Sequence, residues 1–254
     1  MTLATRSRDL EIMDGDAFSS AELASNLRDL AFFARFTGAI DVIVREIGSL
    51  SADRPGGASL EILDVGAGGG DVAAGVAVWA RRRGIRPSIV AADLSPRMIT
   101  AARSNGSGAT ARLCIADARA LPHPDGAFDI AYSSLVLHHL DESGIVAVLR
   151  EMSRVTRLGF IVSDLRRSSV ALAAVWALTR MTSRNRLTLN DGPLSVRRAL
   201  TTAEIHALAR NAGLPAANGA AGLNENRGGF RVRRDGPARL VLAFRHAPAL
   251  RAVR

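Results

Sequence analysis

The sequence contains no lysine, one cysteine and few aromatic residues. All 33 basic residues of the 254 are arginines, and Phe, Trp and Tyr together make up 4%. Each scarcity closes off a class of function. A lone Cys114 cannot form an internal disulfide; it suits a reducing, cytoplasmic setting and reads as a packing thiol in an apolar stretch. Five scattered histidines beside one cysteine give no metal-ligand spacing, so no metal is expected. There is no aromatic-rich basic patch, no recognisable RNA-binding module and no Asn-Pro-Pro-Tyr-type motif for flipped bases, which argues against nucleic acid as partner. No stretch approaches the roughly 18 apolar residues of a membrane span. The longest helical-looking run, residues 170–178, is about half that length, and no apolar run follows the arginines of residues 1–9 to make a secretory signal.

What is present is a hydrophobic content of 48%, enough for the core of one α/β domain with a cover, and a formal charge of +9. The excess is uneven: residues 150–254 carry nineteen arginines against six acidic residues, whereas residues 1–149 are net negative. Solvated arginine faces account for this. A sharper reading is a docking surface for something acidic, such as an acyl carrier, a CoA tail or a phosphate.

Residues 9–50 read as helical, with Leu23, Leu27 and Leu30, then Phe32, Phe33 and Phe36, then Ile40, Ile43, Val44 and Ile47 at helical spacing. A linker at residues 51–59, containing Pro55-Gly56-Gly57, separates an N-terminal helical cap (1–57) from a domain spanning 58–254. There, strand-like runs at 60–65, 88–92, 111–115, 128–133 and 160–163 alternate with helical stretches at 71–83, 96–103 and 142–157, the rhythm of a parallel sheet covered on both faces. After Asp164 the rhythm breaks. An apolar helix is expected at 168–181, a turn at Asp191-Gly192-Pro193, and a helix at 202–212 capped by Thr201 or Thr202. A closing hairpin over 229–244 is expected to turn at Asp235-Gly236-Pro237. The helices of 9–50 and about 165–200 are left as covers for a pocket.

The central motif is Asp64-Val65-Gly66-Ala67-Gly68-Gly69-Gly70-Asp71, directly after a strand and opening a helix. Glycines there let backbone approach a ligand, and the helix N-terminus offers unpaired N–H groups. A dinucleotide fingerprint begun at Gly66 would place its third glycine at 71, where Asp71 would repel a pyrophosphate. A cofactor carrying positive charge would not be repelled. Asp93 ends the second strand, where a carboxylate can accept both ribose hydroxyls; Leu94-Ser95-Pro96 follows, with Ser95 as N-cap and Pro96 at the first helical position. Asp117-Ala118 follows the third strand, and Phe128-Asp129 opens the fourth.

Taken in order, Asp64-x-Gly66-x-Gly68, Asp93-Leu94-Ser95-Pro96, Asp117-Ala118 and Phe128-Asp129 resemble the class I S-adenosylmethionine-dependent methyltransferases. The likeness is strong over about residues 58–165. It implies a Rossmann-like α/β fold, a seven-stranded, mostly parallel sheet with an antiparallel last strand, helices on both faces and a helical lid. It also implies roles. The glycine loop (Gly66, Ala67, Gly68, Gly70) holds the methionine part of S-adenosylmethionine, Asp93 the ribose, and Asp117 with Ala118 the adenine; Asp64, Leu94 and Ser133 are counted with the cofactor-binding residues.

Methyl transfer from a sulfonium is an in-line displacement, and a hydroxyl acceptor often needs a base as well. His138 and His139 follow the fourth strand, and Asp164 ends the fifth at the edge where such sheets bind ligands. The arrangement resembles small-molecule O-methyltransferases with a His-His pair after the fourth strand, which implies His138 as base, His139 as second choice and Asp164 as its partner or a substrate clamp. Residues 191–198 are similar to a linking segment in methyltransferases of bacterial secondary metabolism, some of which accompany phenolic polyketide synthases. The expected reaction is O-methylation of a phenol, quinol or polyketide-type metabolite. Alternatives are a C-methyltransferase of quinone-type biosynthesis or an RNA-modifying enzyme, and an acidic carrier or synthase is a possible partner.

Overall fold

In β1 (Ser59–Val65) alternate side chains go to opposite faces: Leu60 and Ile62 to one apolar cluster, Leu63 and Val65 to another, all at most 1% exposed. Two buried faces need two covers, and the chain supplies helices for both. The structure is a computed structural model that describes residues 3–54, 58–217 and 228–248. The Pro55-Gly56-Gly57 linker, on which the expected domain boundary falls, lies outside the described residues.

The sheet has seven strands in the order β3-β2-β1-β4-β5-β7-β6. They are β1, β2 (Arg86–Asp93), β3 (Arg112–Ile115), β4 (Phe128–Ser134), β5 (Thr156–Leu165), β6 (Gly229–Asp235) and β7 (Arg239–Arg245). Only β7 runs against the direction of the other six strands, and with β6 it forms the expected hairpin. The order reverses between β1 and β4, the topological switch point at which a crevice opens beyond the carboxyl ends of the strands. This is the expected Rossmann-like architecture.

One face is covered by α2 (Ala39–Leu50) and α3 (Asp71–Arg82), whose Ile43, Ile47 and Val76 meet Ile62, Ile130 and Tyr132. The other is covered by α5 (Glu142–Arg154) and α8 (Thr202–Asn211), through Ile145, Leu149, Ile205 and Leu208 against Leu63, Phe160 and Leu242. Ile47 is fully buried, so its truncation to alanine would cost about 2–5 kcal/mol. Between β2 and β3, α4 (Pro96–Ser104) starts as expected: Ser95 accepts from Met98 N–H and Pro96 takes the first position. Thr201, not Thr202, caps α8 in a reciprocal box with Glu204.

Several boundaries differ from the sequence pattern. Residues 9–50 break into a short 3-10 turn (Ile12–Asp14), α1 (Ser20–Phe36) and α2, the last two parted at Gly38 in the left-handed region. Strand β5 begins at Thr156, ahead of the apolar run, because Thr156 already pairs with Phe128 of β4. Asp191-Gly192-Pro193 is no turn. It lies inside α7 (Arg186–Arg198), where Gly192 lets α6 (Ser169–Thr182) approach; a Cβ there would stand 2.8 Å from Thr179 Cγ2. Packing overrides the local breaker signal. Phe32 and Phe36 stack on each other on an exposed face of α1. On α6, Val170, Trp176 and Met181 are also exposed.

Candidate active site

Five elements deliver side chains to the carboxyl edge of the sheet around the switch point. The loop after β1 is clipped to the end of β2 by Gly66 and Ala67, whose N–H groups both donate to Ala92 O at 2.8 and 3.0 Å. Gly66 has φ +75°, and a Cβ there would run into Val136. Gly68 has φ +51°, and a Cβ there would meet nothing within 4 Å, so this stretch of backbone is bare. Its N–H donates to Asp93 Oδ2 at 2.9 Å, while Asp93 Oδ1 accepts from Ser95 N–H at 2.9 Å. Two of the carboxylate's four acceptor sites are thus used, and two remain for a diol. Gly70, in the left-handed region, caps α3. Leu94 and Ile115, at the ends of β2 and β3, are 60% and 55% exposed and offer apolar surface beside the loop.

Other residues of the expected cofactor set are engaged differently. Asp64 is 1% exposed, and its Oδ2 accepts from Tyr132 Oη at 2.9 Å, across the β1–β4 register pair that the two residues form. Burial raises its carboxyl to about 7 against the lowering effect of Tyr132's donation. Asp64 is therefore a pin between strands beneath the loop rather than part of its exposed surface. Asp117 is held by Arg119, whose Nε and Nη2 fork onto both carboxylate oxygens at 2.8–3.1 Å; these hydrogen bonds lower its pKa. Ala118 is half-buried against the core. Ser133 is buried, and its Oγ has no hydrogen-bond partner among the described residues.

Beyond β4 the chain turns through Leu135, the one non-glycine residue with positive φ (58°) among the described residues, into a 3-10 turn carrying the two histidines (Leu137–His139). His138 Nδ1 lies 2.6 Å from Asp164 Oδ1, and Asp164 Oδ2 accepts the His138 N–H at 3.3 Å. Both side chains are buried. Burial alone would raise the Asp164 carboxyl; the facing His138 outweighs it and holds the group below the usual carboxylate range. With Asp164 held ionised, the hydrogen bond between them is donated by His138 Nδ1, and Nε2 lies on the far side of the ring. The structure thus joins the expected His138 and Asp164. It sends His139 elsewhere: its Nδ1 pairs with Asp14 Oδ1 at 2.8 Å, and its side chain is 30% exposed.

Residues absent from the sequence expectation complete this cluster. Glu11, 5% exposed, sets Oε1 3.7 Å from His138 Nε2 and Oε2 3.9 Å from His139 Nδ1. Burial pushes its carboxyl up to about 7. Burial likewise pushes Asp14 upward, but His139 and Arg198 prevail and hold it well below the usual range. The segment is fastened from α7: Ser195 Oγ donates to Glu11 Oε1 at 2.9 Å, and Arg198 pairs with Asp14 and donates to the carbonyls of His138, His139 and Asp9. Arg6 donates to the carbonyls of Leu137, His138 and Arg198. Asp191, Ser195 and Arg198 recur at helical spacing on one face of α7. That spacing is visible in the sequence, but Gly192-Pro193 disguises the helix that gives it meaning. Glu11, His138 and His139 also offer three ligand atoms within 4.8 Å of one another, a set that the scattered spacing along the chain conceals.

Residues 62–159 match a protein family described as "Methyltransferase domain". The chain is 34% identical over 137 residues to a malonyl-[acyl-carrier protein] O-methyltransferase of Serratia marcescens, covering 51% of this chain and 49% of that protein. It is 33% identical over 116 residues to a ubiquinone/menaquinone biosynthesis C-methyltransferase of Laribacter hongkongensis, covering 44% and 43%. The chain thus spans about half, or less, of the curated relatives it matches. Among solved structures it resembles a SAM-dependent methyltransferase from Aquifex aeolicus, with TM-score 0.56, 16% identity and coverage of 90% and 98%. With sheet order, glycine loop and family match in agreement, residues 62–159 belong to a methyltransferase domain of Rossmann-like fold.

Proposed function

We propose that this chain transfers a methyl group from S-adenosylmethionine to a hydroxyl of a small, partly apolar acceptor, with phenols, quinols and polyketide-type metabolites foremost. The cofactor fits the residues present. The bare backbone at Gly68 leaves room for close approach, Asp93 keeps acceptor sites for a ribose diol, and Leu94 and Ile115 offer apolar surface to a flat base. Asp71, at the position of a dinucleotide fold's third glycine, suits a cationic ligand better than a pyrophosphate. Bound there, S-adenosylmethionine supplies a methyl group activated by its sulfonium.

The observation that carries the choice of an oxygen acceptor is the buried His138–Asp164 pair, 2.6 Å apart. In this reading His138 Nε2 takes the hydroxyl proton, Asp164 fixes the ring through Nδ1 and stabilises the imidazolium, and burial keeps water from competing. A second reading, methylation at carbon, is favoured by the likeness to the quinone-pathway relative. The arginine-rich C-terminal half, together with a relative whose name specifies an acyl carrier, supports acceptor delivery by an acidic carrier. No helix among the described residues is long and apolar enough to cross a membrane, and a cytoplasmic site of action belongs to the same proposal.

The test is a methyl-transfer assay over a panel of phenols, quinols and polyketide lactones, with calorimetric titration of S-adenosylhomocysteine as control. His138→Ala and Asp164→Asn should each lower turnover about 10²- to 10⁴-fold while leaving S-adenosylhomocysteine binding intact. Undiminished turnover in both variants would overturn the base assignment. Failure of the wild type to bind S-adenosylhomocysteine would overturn the cofactor reading itself.

A further inference from the structure

The three-residue set Glu11, His138 and His139 has the chemistry of a transition-metal site: two imidazoles and one carboxylate, the donor set of His₂Glu zinc centres. The separations suit it. Tetrahedral zinc with bonds of about 2.0–2.1 Å holds its ligand atoms roughly 3.4 Å apart. Here Glu11 Oε1 is 3.7 Å from His138 Nε2, and Glu11 Oε2 is 3.9 Å from His139 Nδ1. The three ligand atoms lie within 4.8 Å of one another, so closing the shell draws them inward and releases His139 Nδ1 from Asp14 Oδ1, which now stands 2.8 Å away.

The surroundings support it in two further ways. His138 carries the partner that a metal-bound histidine needs: Asp164, buried, accepts from Nδ1 and aims Nε2 at Glu11. Ser195 Oγ donates to Glu11 Oε1, orienting the carboxylate in turn. Three carboxyls (Glu11, Asp14 and Asp164) meet two guanidiniums (Arg6 and Arg198) around the two rings; Arg198 bonds Asp14 and backbone carbonyls, and its Nε stands 3.9 Å from Glu11 Oε1. With all five ionised and the rings neutral, the cluster is one negative charge in excess, so a divalent cation is electrostatically accommodated.

We propose that Glu11, His138 and His139 form a binding site for a transition-metal dication of the zinc type, closed by the N-terminal segment and open in the coordination positions that the protein does not fill. The proposal rests on the cluster's geometry and holds whether or not the oxygen-methylation reading does. The two bear on each other at one atom: a ligated His138 Nε2 cannot take a proton, so cation binding and base catalysis at His138 exclude each other.

The experiment is calorimetric titration of untagged, chelator-treated protein with zinc chloride. One zinc should bind per chain, with affinity at least 10-fold weaker in Glu11→Gln and in His139→Gln. Asp164→Asn, which removes the charge orienting His138, should weaken it about 10- to 100-fold. His206→Gln, on α8 outside the cluster, should leave it unchanged. S-adenosylhomocysteine binding by each variant reports that the domain is folded. Absence of saturable zinc binding in the wild type, or binding that survives both Glu11→Gln and His139→Gln, would overturn the proposal. Neither result would touch the cofactor reading, which the S-adenosylhomocysteine titration decides by itself.

Discussion

Asp191 Oδ1 accepts the backbone N–H of Ile12 at 2.9 Å across 179 positions of sequence, and its Oδ2 accepts that of Met13 at 3.1 Å. A carboxylate in the middle of one helix thus caps a 3-10 turn at the other end of the chain, satisfying N–H groups that have no partner within their own turn. This contact places Glu11 beside His138. Replacing Asp191 with alanine should cost about 1–2 kcal/mol by denaturant unfolding and speed amide exchange across residues 9–14. Exchange there at the wild-type rate would show that other contacts suffice to hold the segment.

Gly66 and Gly68 should respond differently to alanine although both have positive φ. At Gly68 the added methyl meets nothing within 4 Å, so the cost is about 1–2 kcal/mol of backbone strain. The methyl would stand on the bare face of the loop, and S-adenosylhomocysteine affinity should fall at least 10-fold. At Gly66 the methyl runs into Val136, and overpacking adds about 1–3 kcal/mol to the strain. Unfolding curves and calorimetry on both variants separate a binding defect from a folding one; equal behaviour in the two would contradict the loop geometry.

The parts legible in the sequence are those governed by local pattern. Alternating apolar runs gave the parallel sheet, Ser95-Pro96 gave the start of α4, and Asp235-Gly236-Pro237 gave the final hairpin. The His138–Asp164 pair came from the family likeness, since nothing in the spacing of 26 positions fixes a contact. The N-terminal segment was not legible. Its partners lie on α7, and Gly192-Pro193 points locally to a turn, while helix–helix packing against Thr179 makes it helix. Asp64 shows the opposite case: its place in the motif is visible in the sequence, but only the register with Tyr132 reveals a buried pin.

That pin makes a pH prediction. Asp64 keeps its proton in the folded chain up to about 7, whereas in the unfolded chain a carboxyl of this type loses it near pH 4. Between those values the folded state binds more protons, so this group's contribution to stability declines as pH rises from about 4 to about 7. Asparagine at 64 can still accept from Tyr132 and has no such titration. The stability of Asp64→Asn relative to wild type should therefore rise across that window and level off above it. A difference independent of pH would mean that Asp64 is ionised throughout.

Arg119 tests the assignment of Asp117 to adenine. The fork between them is exposed, with side-chain exposures of 52% for Arg119 and 33% for Asp117, and pairs of this kind contribute about 0–1 kcal/mol. Arg119→Ala should therefore leave unfolding nearly unchanged. It would, however, release both carboxylate oxygens that the guanidinium now occupies, freeing acceptor capacity for an adenine amino group. S-adenosylhomocysteine should then bind as tightly or more tightly to Arg119→Ala and several-fold more weakly to Asp117→Ala. If Arg119→Ala weakens binding as much as Asp117→Ala does, the fork itself is the recognition element, and Asp117 acts by holding Arg119 in place rather than by accepting from the base.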